Sequence, residues 1–508
     1  MTNGQSPQEG PRLSRRRFVQ LGYGGAVAVV AGTVGIRELT RPDAVRPTSL
    51  AVRAVEKRRP ATGHVVRRTL VARADEVDLG GRTVRTWSYD GSTPAAPIRV
   101  TAGDTLQVSL RNQLPEATTV HWHGLALRND MDGVPGLTMD PVPSGSRFDY
   151  SFVVPDPGTY WFHPHVGVQL DTGLQGALIV EDPSEPGDYD TEAVLILDDW
   201  TDGWSASPNE ILRGFKSKGM PAMQGMDMSG MNPTKTMDPR QPLGEDAGDV
   251  TYPAHLINGR LPQDPHVVES KAGNKVRLRI INAGSDTAYR FLVGNHRLTV
   301  THTDGYPVQP VDVDSLVLGM GERYDVVVTV QDGQFPIFAV PVGKKGAAAR
   351  AVLRTRPGTL SDAVPPSAGH GRLLTYTDLV AATDVRLPRR APDKTLDVEL
   401  SMGDGGRKWL INRATYDDFE ALQVQQNERV RLNFVNKSMM FHPMHLHGHT
   451  FELARKSIDG PRKDTINVLP MSKLSVDLHT DNPGQWLLHC HNAYHGELGM
   501  MTVLSYVQ

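Results

Sequence analysis

Near the end of the chain a run of twelve residues, HCHNAYHGELGM, spans His489 to Met500 and holds Cys490, the only cysteine among 508 residues. Ten of the 18 histidines fall in four clusters. These are His121 and His123 in HWHG, His163 and His165 in HPH, His442, His445 and His447 in HPMHLHGH, and His489, His491 and His495 in the C-terminal run. One His-x-His pair is commonly structural; four at matched spacings point to metal. His121 and His163 lie 42 apart, His445 and His489 lie 44 apart. Successive side chains of a strand point to opposite faces. In HCH, His489 and His491 therefore project one way and Cys490 the other, so adjacent residues can serve two separate centres. Neutral imidazole with thiolate suits copper, and two His, one Cys and a weak axial Met form the blue-copper set. His442, Cys490 and His495 supply its strong ligands and Met500 its weak one. The remaining eight clustered histidines form a second site, four from each end of the chain.

Such a site needs rigid strands and two halves packed face to face. The chain provides short β-type runs such as TLQVSLRNQL, VRLRIINAG, YDVVVTV and KLSVDLHT, separated by turns, with 49 Gly and 37 Pro and no long amphipathic helix pattern. It also repeats. Phe152–Val180 aligns with Val476–Leu504, each reading strand, Pro-Gly turn, aromatic, His-x-His, loop, Gly, strand. LQVSLRNQLPEATTVHWHG aligns with VRLNFVNKSMMFHPMHLHG, and Val276–Phe291 gives a fainter copy without paired histidines. Three related β-domains follow: 69–185, 186–365 and 366–508, with residues 1–40 a signal region and 41–68 a linker. On this reading the middle domain is a spacer. The formal net charge of -3 gives no sign of a nucleic-acid partner.

With the four motifs in this order, the sequence resembles the multicopper oxidases, specifically the three-domain, laccase-like bacterial members that include copper-resistance cuprous oxidases. The resemblance implies an all-β fold of three cupredoxin-like Greek-key β-barrels and four copper ions. It places type 1 copper on His442, Cys490, His495 and Met500, and type 2 copper on His121 and His445. The type 3 pair falls to His123, His163, His165, His447, His489 and His491. It implies one-electron oxidation of a reducing substrate at type 1 copper, electron passage through Cys490, and four-electron reduction of O2 to water at the other three ions. Asp132 matches a family acidic residue near type 2 copper, and Glu497 is a candidate for proton delivery. His449 has no ligand slot and reads as a supporting residue.

The substrate is read from a methionine-rich stretch, 219–237, with Met220, Met223, Met226, Met228, Met231 and Met237 among Gly, Pro, Asp and Ser. Thioethers are soft and select Cu(I). Met439 and Met440 precede His442 where cuprous oxidases of the family place a methionine, whereas Ser438 stands where some carry an acid. The expected substrate is Cu(I), phenols or aromatic amines, and the expected role is copper detoxification. The alternatives are a general laccase and a copper-binding or storage protein with little turnover. At the N-terminus SRRRFVQ, followed by the apolar Leu21–Gly35, resembles a twin-arginine signal. Export by that machinery to the periplasm, cell envelope or medium is expected, with a membrane tether if the signal stays on. A fold completed in a reducing cytoplasm needs no disulfide.

Overall fold

The computed structural model describes residues 41–185, 187–220, 242–244, 247–359 and 371–508. The twin-arginine stretch and Met223, Met226, Met228, Met231 and Met237 lie outside the described residues. Alternation of apolar and polar residues builds the framework. In the strand Thr105–Asn112, Leu106, Val108 and Leu110 are buried while the residues between them are more open, apart from Asn112 at the end. Each fully buried side chain of this size contributes about 1.5–3 kcal/mol relative to exposure.

Three cupredoxin-like domains follow one another, each a pair of sheets. In the first, one sheet runs Thr83–Tyr89, Val65–Asp78, Thr105–Asn112, Arg147–Val153. It faces Ala95–Thr101, Gly176–Glu181, Gly158–His163, His121–His123. The middle and last domains each pair a six-stranded with a five-stranded sheet. The same parallel pairing recurs three times: Val65 with Thr105, Thr191 with Val276, Lys394 with Val430. A second parallel pairing also recurs: Ile98 with Leu178, His266 with Ala351, Leu422 with Leu504. Thus the faint middle copy in the sequence is a full structural repeat. Its strand Tyr289–Val293 occupies the place that His121–His123 and His442–Leu446 hold in the outer domains.

Two features depart from the linear reading. Within 41–68, taken as linker, Leu50–Arg58 is a helix with Ser49 at its N-cap, and a strand begins at Val65. Val45 donates its N–H to Tyr506 O at 2.8 Å, and Gln485 Nε2 donates to Val45 O at 2.9 Å, strapping this segment to the last domain. Only Val52 of the helix is buried, so its apolar periodicity is too brief to read. Secondly, the middle-domain strand Lys275–Asn282 is buried on both faces, arginines included. Arg277 and Arg279 share the Asp325 carboxylate, and Arg279 reaches Thr159 of the first domain at 3.0 Å. These paired charges seal one domain against another.

Candidate metal centres

Strand parity sorts the candidate metal-binding residues. In His121–His123 the central Trp122 turns into the first domain's core, with ring centroids 5.4–5.7 Å from Phe152, Tyr150 and Phe162. The two histidines face the last domain. In His442–Leu446, His442 shares parity with Met444 and Leu446 inside the C-terminal barrel, and His445 points the opposite way. Cross-strand register then pairs Met444 with Cys490, His445 with His489, and His121 with His163. Cys490 sits in the barrel core because its strand position is the inward one.

In the mononuclear pocket, Cys490 Sγ lies 3.6 Å from Nδ1 of both His442 and His495, and these nitrogens are 3.2 Å apart. His495 returns to this point because the chain turns into the short helix Ala493–Glu497. The Asn492 side chain caps that helix by accepting from the N–H groups of Tyr494 and His495. Met500 is brought alongside by the Cys490 N–H, which donates to Met500 O at 3.0 Å. The far nitrogens are held too: His442 Nε2 meets Ser438 Oγ at 2.7 Å, and His495 Nε2 meets Asp249 Oδ2 at 3.1 Å. Trp409 stacks on His495 with centroids 4.2 Å apart. Burial pushes His442 well down. Burial also opposes charge on His495, but Asp249 and Cys490 hold its pKa up at about 10.

The other eight imidazoles converge between the outer domains. His121 stacks on His447 at 3.8 Å and His123 on His445 at 3.7 Å. His447 Nε2 is 3.0 Å from His489 Nε2, and nitrogens of His165, His447 and His489 lie within 4.8 Å of one another. The same limit holds for His121, His123 and His163, and for His121, His445 and His447. Most rings have one nitrogen tied down. His121 Nδ1 meets Asp132 O at 2.9 Å, His163 Nδ1 meets Pro164 O at 2.9 Å, and His489 Nδ1 meets Cys490 O at 2.9 Å. His445 Nδ1 meets Asp464 O at 2.9 Å, and His123 Nε2 meets Asp464 Oδ1 at 3.1 Å. The opposite nitrogens of His121, His123, His163 and His445, and both of His491, are buried without a hydrogen-bond partner. Burial drives His123, His163, His447, His489 and His491 well below the usual imidazole range, and His165 to about 3. Imidazoles clamped at one nitrogen and bare at the other are set to bind a cation.

Three multicopper oxidase family models match residues 71–185, 192–358 and 389–508. Multicopper oxidase MmcO of Mycobacterium tuberculosis is 44% identical over 504 residues, covering 98% of this chain and 98% of that protein. The chain belongs to the multicopper oxidase family. Copper resistance protein A of Escherichia coli is 28% identical, covering 84% of this oxidase and 90% of the relative. The crystal structure of a multi-copper oxidase from Pseudomonas thermotolerans superposes with a TM-score of 0.67 at 25% identity, covering 88% of this chain and all of that one. The oxidase uses copper, with type 1, type 2 and type 3 sites, and takes O2 as oxidant. The residues fit it: one thiol with imidazoles in the barrel core, and partnerless imidazole nitrogens between the domains.

The remaining candidates fall as follows. Asp132 is fully buried with Oδ2 3.0 Å from His447 Nδ1 and Oδ1 3.2 Å from His121 Nδ1, so it braces one ring from each outer domain. His449 links Nδ1 to His447 O at 3.1 Å and Nε2 to Tyr506 Oη at 2.6 Å, fixing the turn that carries His447. Glu497 has a raised pKa from burial, and its charged neighbour is Lys216; among the described residues no hydrogen bond joins it to a clustered imidazole. Tyr494, three residues earlier, does reach a buried acid, donating to Asp171 Oδ2 at 2.5 Å. Met220 and Met440 are both core residues rather than exposed loop thioethers. Met220 Sδ accepts from Trp409 Nε1 at 3.1 Å.

Sequence reasoning missed Asp249, Asp464 and Trp409. Asp464 has no motif spacing to the histidines; it reaches them because Thr465 pairs with His445 across the sheet. Asp249 lies just beyond the Met-rich stretch, far in sequence from His495.

Proposed function

We propose that this oxidase oxidises Cu(I) with O2 as a defence against copper, and that its ligands divide as the motifs suggest. Type 1 copper takes His442, Cys490, His495 and Met500. Type 2 copper takes His121 and His445, and the type 3 pair takes His123, His163, His165, His447, His489 and His491. Bound there, copper supplies one-electron chemistry at the first site and reduction of O2 to water at the second. The chain's own residues supply the frame. Asp132 and Asp464 orient imidazoles from both outer domains, and burial pushes His123, His445 and His447 toward the neutral form. The backbone of 489–491 joins the two sites covalently.

One observation carries the substrate reading. Met220, near the start of the Met-rich stretch, and Asp249, twelve residues past its end, both lead to the same imidazole. Met220 bonds Trp409, which stacks on His495, and Asp249 bonds the His495 ring directly. Met220 and Asp249 stand beside the mononuclear pocket, and the sequence between them is rich in thioethers, soft donors that select Cu(I). The name of the copper resistance relative supports the same role. The signal-like N-terminus supports export through the twin-arginine machinery to the periplasm or cell envelope. The three domains divide near residues 185 and 365.

Oxygen uptake with Cu(I) and with a phenol, for the intact oxidase and for a deletion of 221–237, tests the reading. The deletion begins after Met220 because that side chain packs in the core. Cu(I)-driven uptake is expected to fall sharply while phenol-driven uptake holds or rises. Phenol-driven uptake that dominates in both proteins, with neither rate changed by the deletion, would make it a general laccase. No uptake with either donor at full copper loading would leave only copper binding.

A further inference from the structure

We infer that the middle domain, which offers no ligand, positions the interdomain copper cluster through the turn Gly321–Arg323, with Arg323 locking Asp464 against His123 and His445. The inference rests on the cluster assignment proposed above. Arg323 and Asp464 are both fully buried and form a two-point pair: Nη1 donates to Oδ1 at 2.7 Å and Nη2 to Oδ2 at 2.6 Å. Asp464 Oδ1 in turn meets His123 Nε2 at 3.1 Å, lies 3.3 Å from His445 Nδ1, and accepts from Thr465 Oγ1 at 2.8 Å. One carboxylate from the last domain thus holds a ring from each outer domain, and a guanidinium from the middle domain holds the carboxylate. Arg323 is itself fixed by donating through Nε to Thr159 O of the first domain at 3.1 Å and through Nη1 to Gly321 O at 3.1 Å. All three domains therefore meet at this one side chain.

Two glycines leave the necessary room. Gly321 has φ +85°, and a Cβ there would lie 2.9 Å from His491 Cδ2 and 3.0 Å from His123 Cε1. The middle-domain backbone lies directly against rings from both halves of the cluster. Gly124, the last residue of HWHG, has φ +91°, and a Cβ there would meet Arg323 Nη2 at 2.4 Å and Asp464 Oδ2 at 2.7 Å. The motif's glycine clears the space for the Arg–Asp pair.

A second contact pins the same strand. Asp304 of the middle domain accepts from the N–H groups of Asp464 and Thr465, both at 3.2 Å. Lys463 Nζ lies 3.0 Å from both Asp304 and Glu322. Orienting groups behind metal-binding histidines typically affect affinity or activity 10–100-fold. A lysine would keep the charge of Arg323 but lose the planar fork.

The test compares Arg323→Lys, Arg323→Gln and Gly321→Ala with the intact oxidase and with Ile337→Val. That last change loosens the middle-domain core away from the interface. The readouts are bound copper per chain, the type 2 paramagnetic resonance spectrum, the near-ultraviolet band of the type 3 pair, and the visible thiolate–copper band. Both Arg323 variants are expected to keep the visible band while cluster copper affinity falls about 10–100-fold. Gly321→Ala is expected to perturb the type 2 and type 3 signals, and Ile337→Val to leave them unchanged. If the Arg323 variants fail to fold, Gly321→Ala decides: altered signals support the inference and unaltered ones overturn it. Folded Arg323 variants with a full copper complement and unchanged spectra also overturn it. If the intact oxidase binds copper only at the thiolate site, the cluster assignment falls, and this inference with it.

Discussion

The mononuclear pocket and the interdomain cluster are built from the same residue type by opposite strategies. Every proposed ligand of the pocket lies between His442 and Met500, within one barrel. The cluster draws on residues 121–165 and 445–491, and it exists only where separate domains meet. The pocket is thus a property of a strand, a capped turn and a core. The cluster is a property of packing, and its supporting acids, Asp132 and Asp464, each touch rings from both outer domains.

The electrostatics differ in the same way. In the cluster, burial pushes His123, His163, His165, His445, His447, His489 and His491 down together. In the pocket, His495 is held up at about 10 against burial by Asp249 and Cys490. Those seven cluster rings favour the neutral form that binds cations, whereas His495 favours a proton that a metal must displace.

The largest effect separates the two sites outright. Cys490→Ser is expected to remove the visible thiolate–copper band and bring O2-coupled turnover to background, while the type 2 resonance signal persists. Loss of that signal as well would mean that the sites do not load independently. Next, Asp132→Asn should spare the visible band and lower cluster copper affinity or turnover about 10–100-fold, read by copper titration and oxygen uptake.

The third prediction uses pH on copper-free protein. An unfolded chain protonates its imidazoles below about 6.5, whereas the folded cluster resists, His165 down to about 3. The unfolded state then binds more protons, so stability is full above 6.5 and falls as pH drops toward 3. His495 has the opposite sign: its contribution is present below 6.5 and is lost as pH rises through about 10. Thermal unfolding across this range should show the acid-side loss, and copper loading should reduce it. A flat acid limb in the copper-free protein would contradict buried neutral imidazoles. The smallest effect is at the pocket's edge. Met220→Leu conserves volume but leaves the buried Trp409 N–H without its acceptor, so it should cost about 1–3 kcal/mol of stability by thermal unfolding. A selective fall in Cu(I) oxidation over phenol oxidation would tie that thioether to the donor.

Much of this was legible in the linear chain. The four histidine motifs, the lone thiol between two imidazoles and the repeat of Phe152–Val180 in Val476–Leu504 were enough for the fold class. Strand periodicity does the rest, because a period of two assigns His489 and Cys490 to opposite faces without any coordinates. The helix Leu50–Arg58 was not legible, since one buried residue leaves no periodic signal. The middle domain read as a spacer because it carries no paired histidines.

Sequence alone picked out the candidate ligands and the strand face each one shares, since both readings follow from residue type and local geometry. Tertiary structure alone decided what stands behind them. Asp464 is coupled to Arg323 from 141 positions away, and Asp249 to His495 from 246. Burial makes those partners necessary, because a carboxylate or imidazole removed from water must find its hydrogen bonds inside the protein, and only packing determines where they come from.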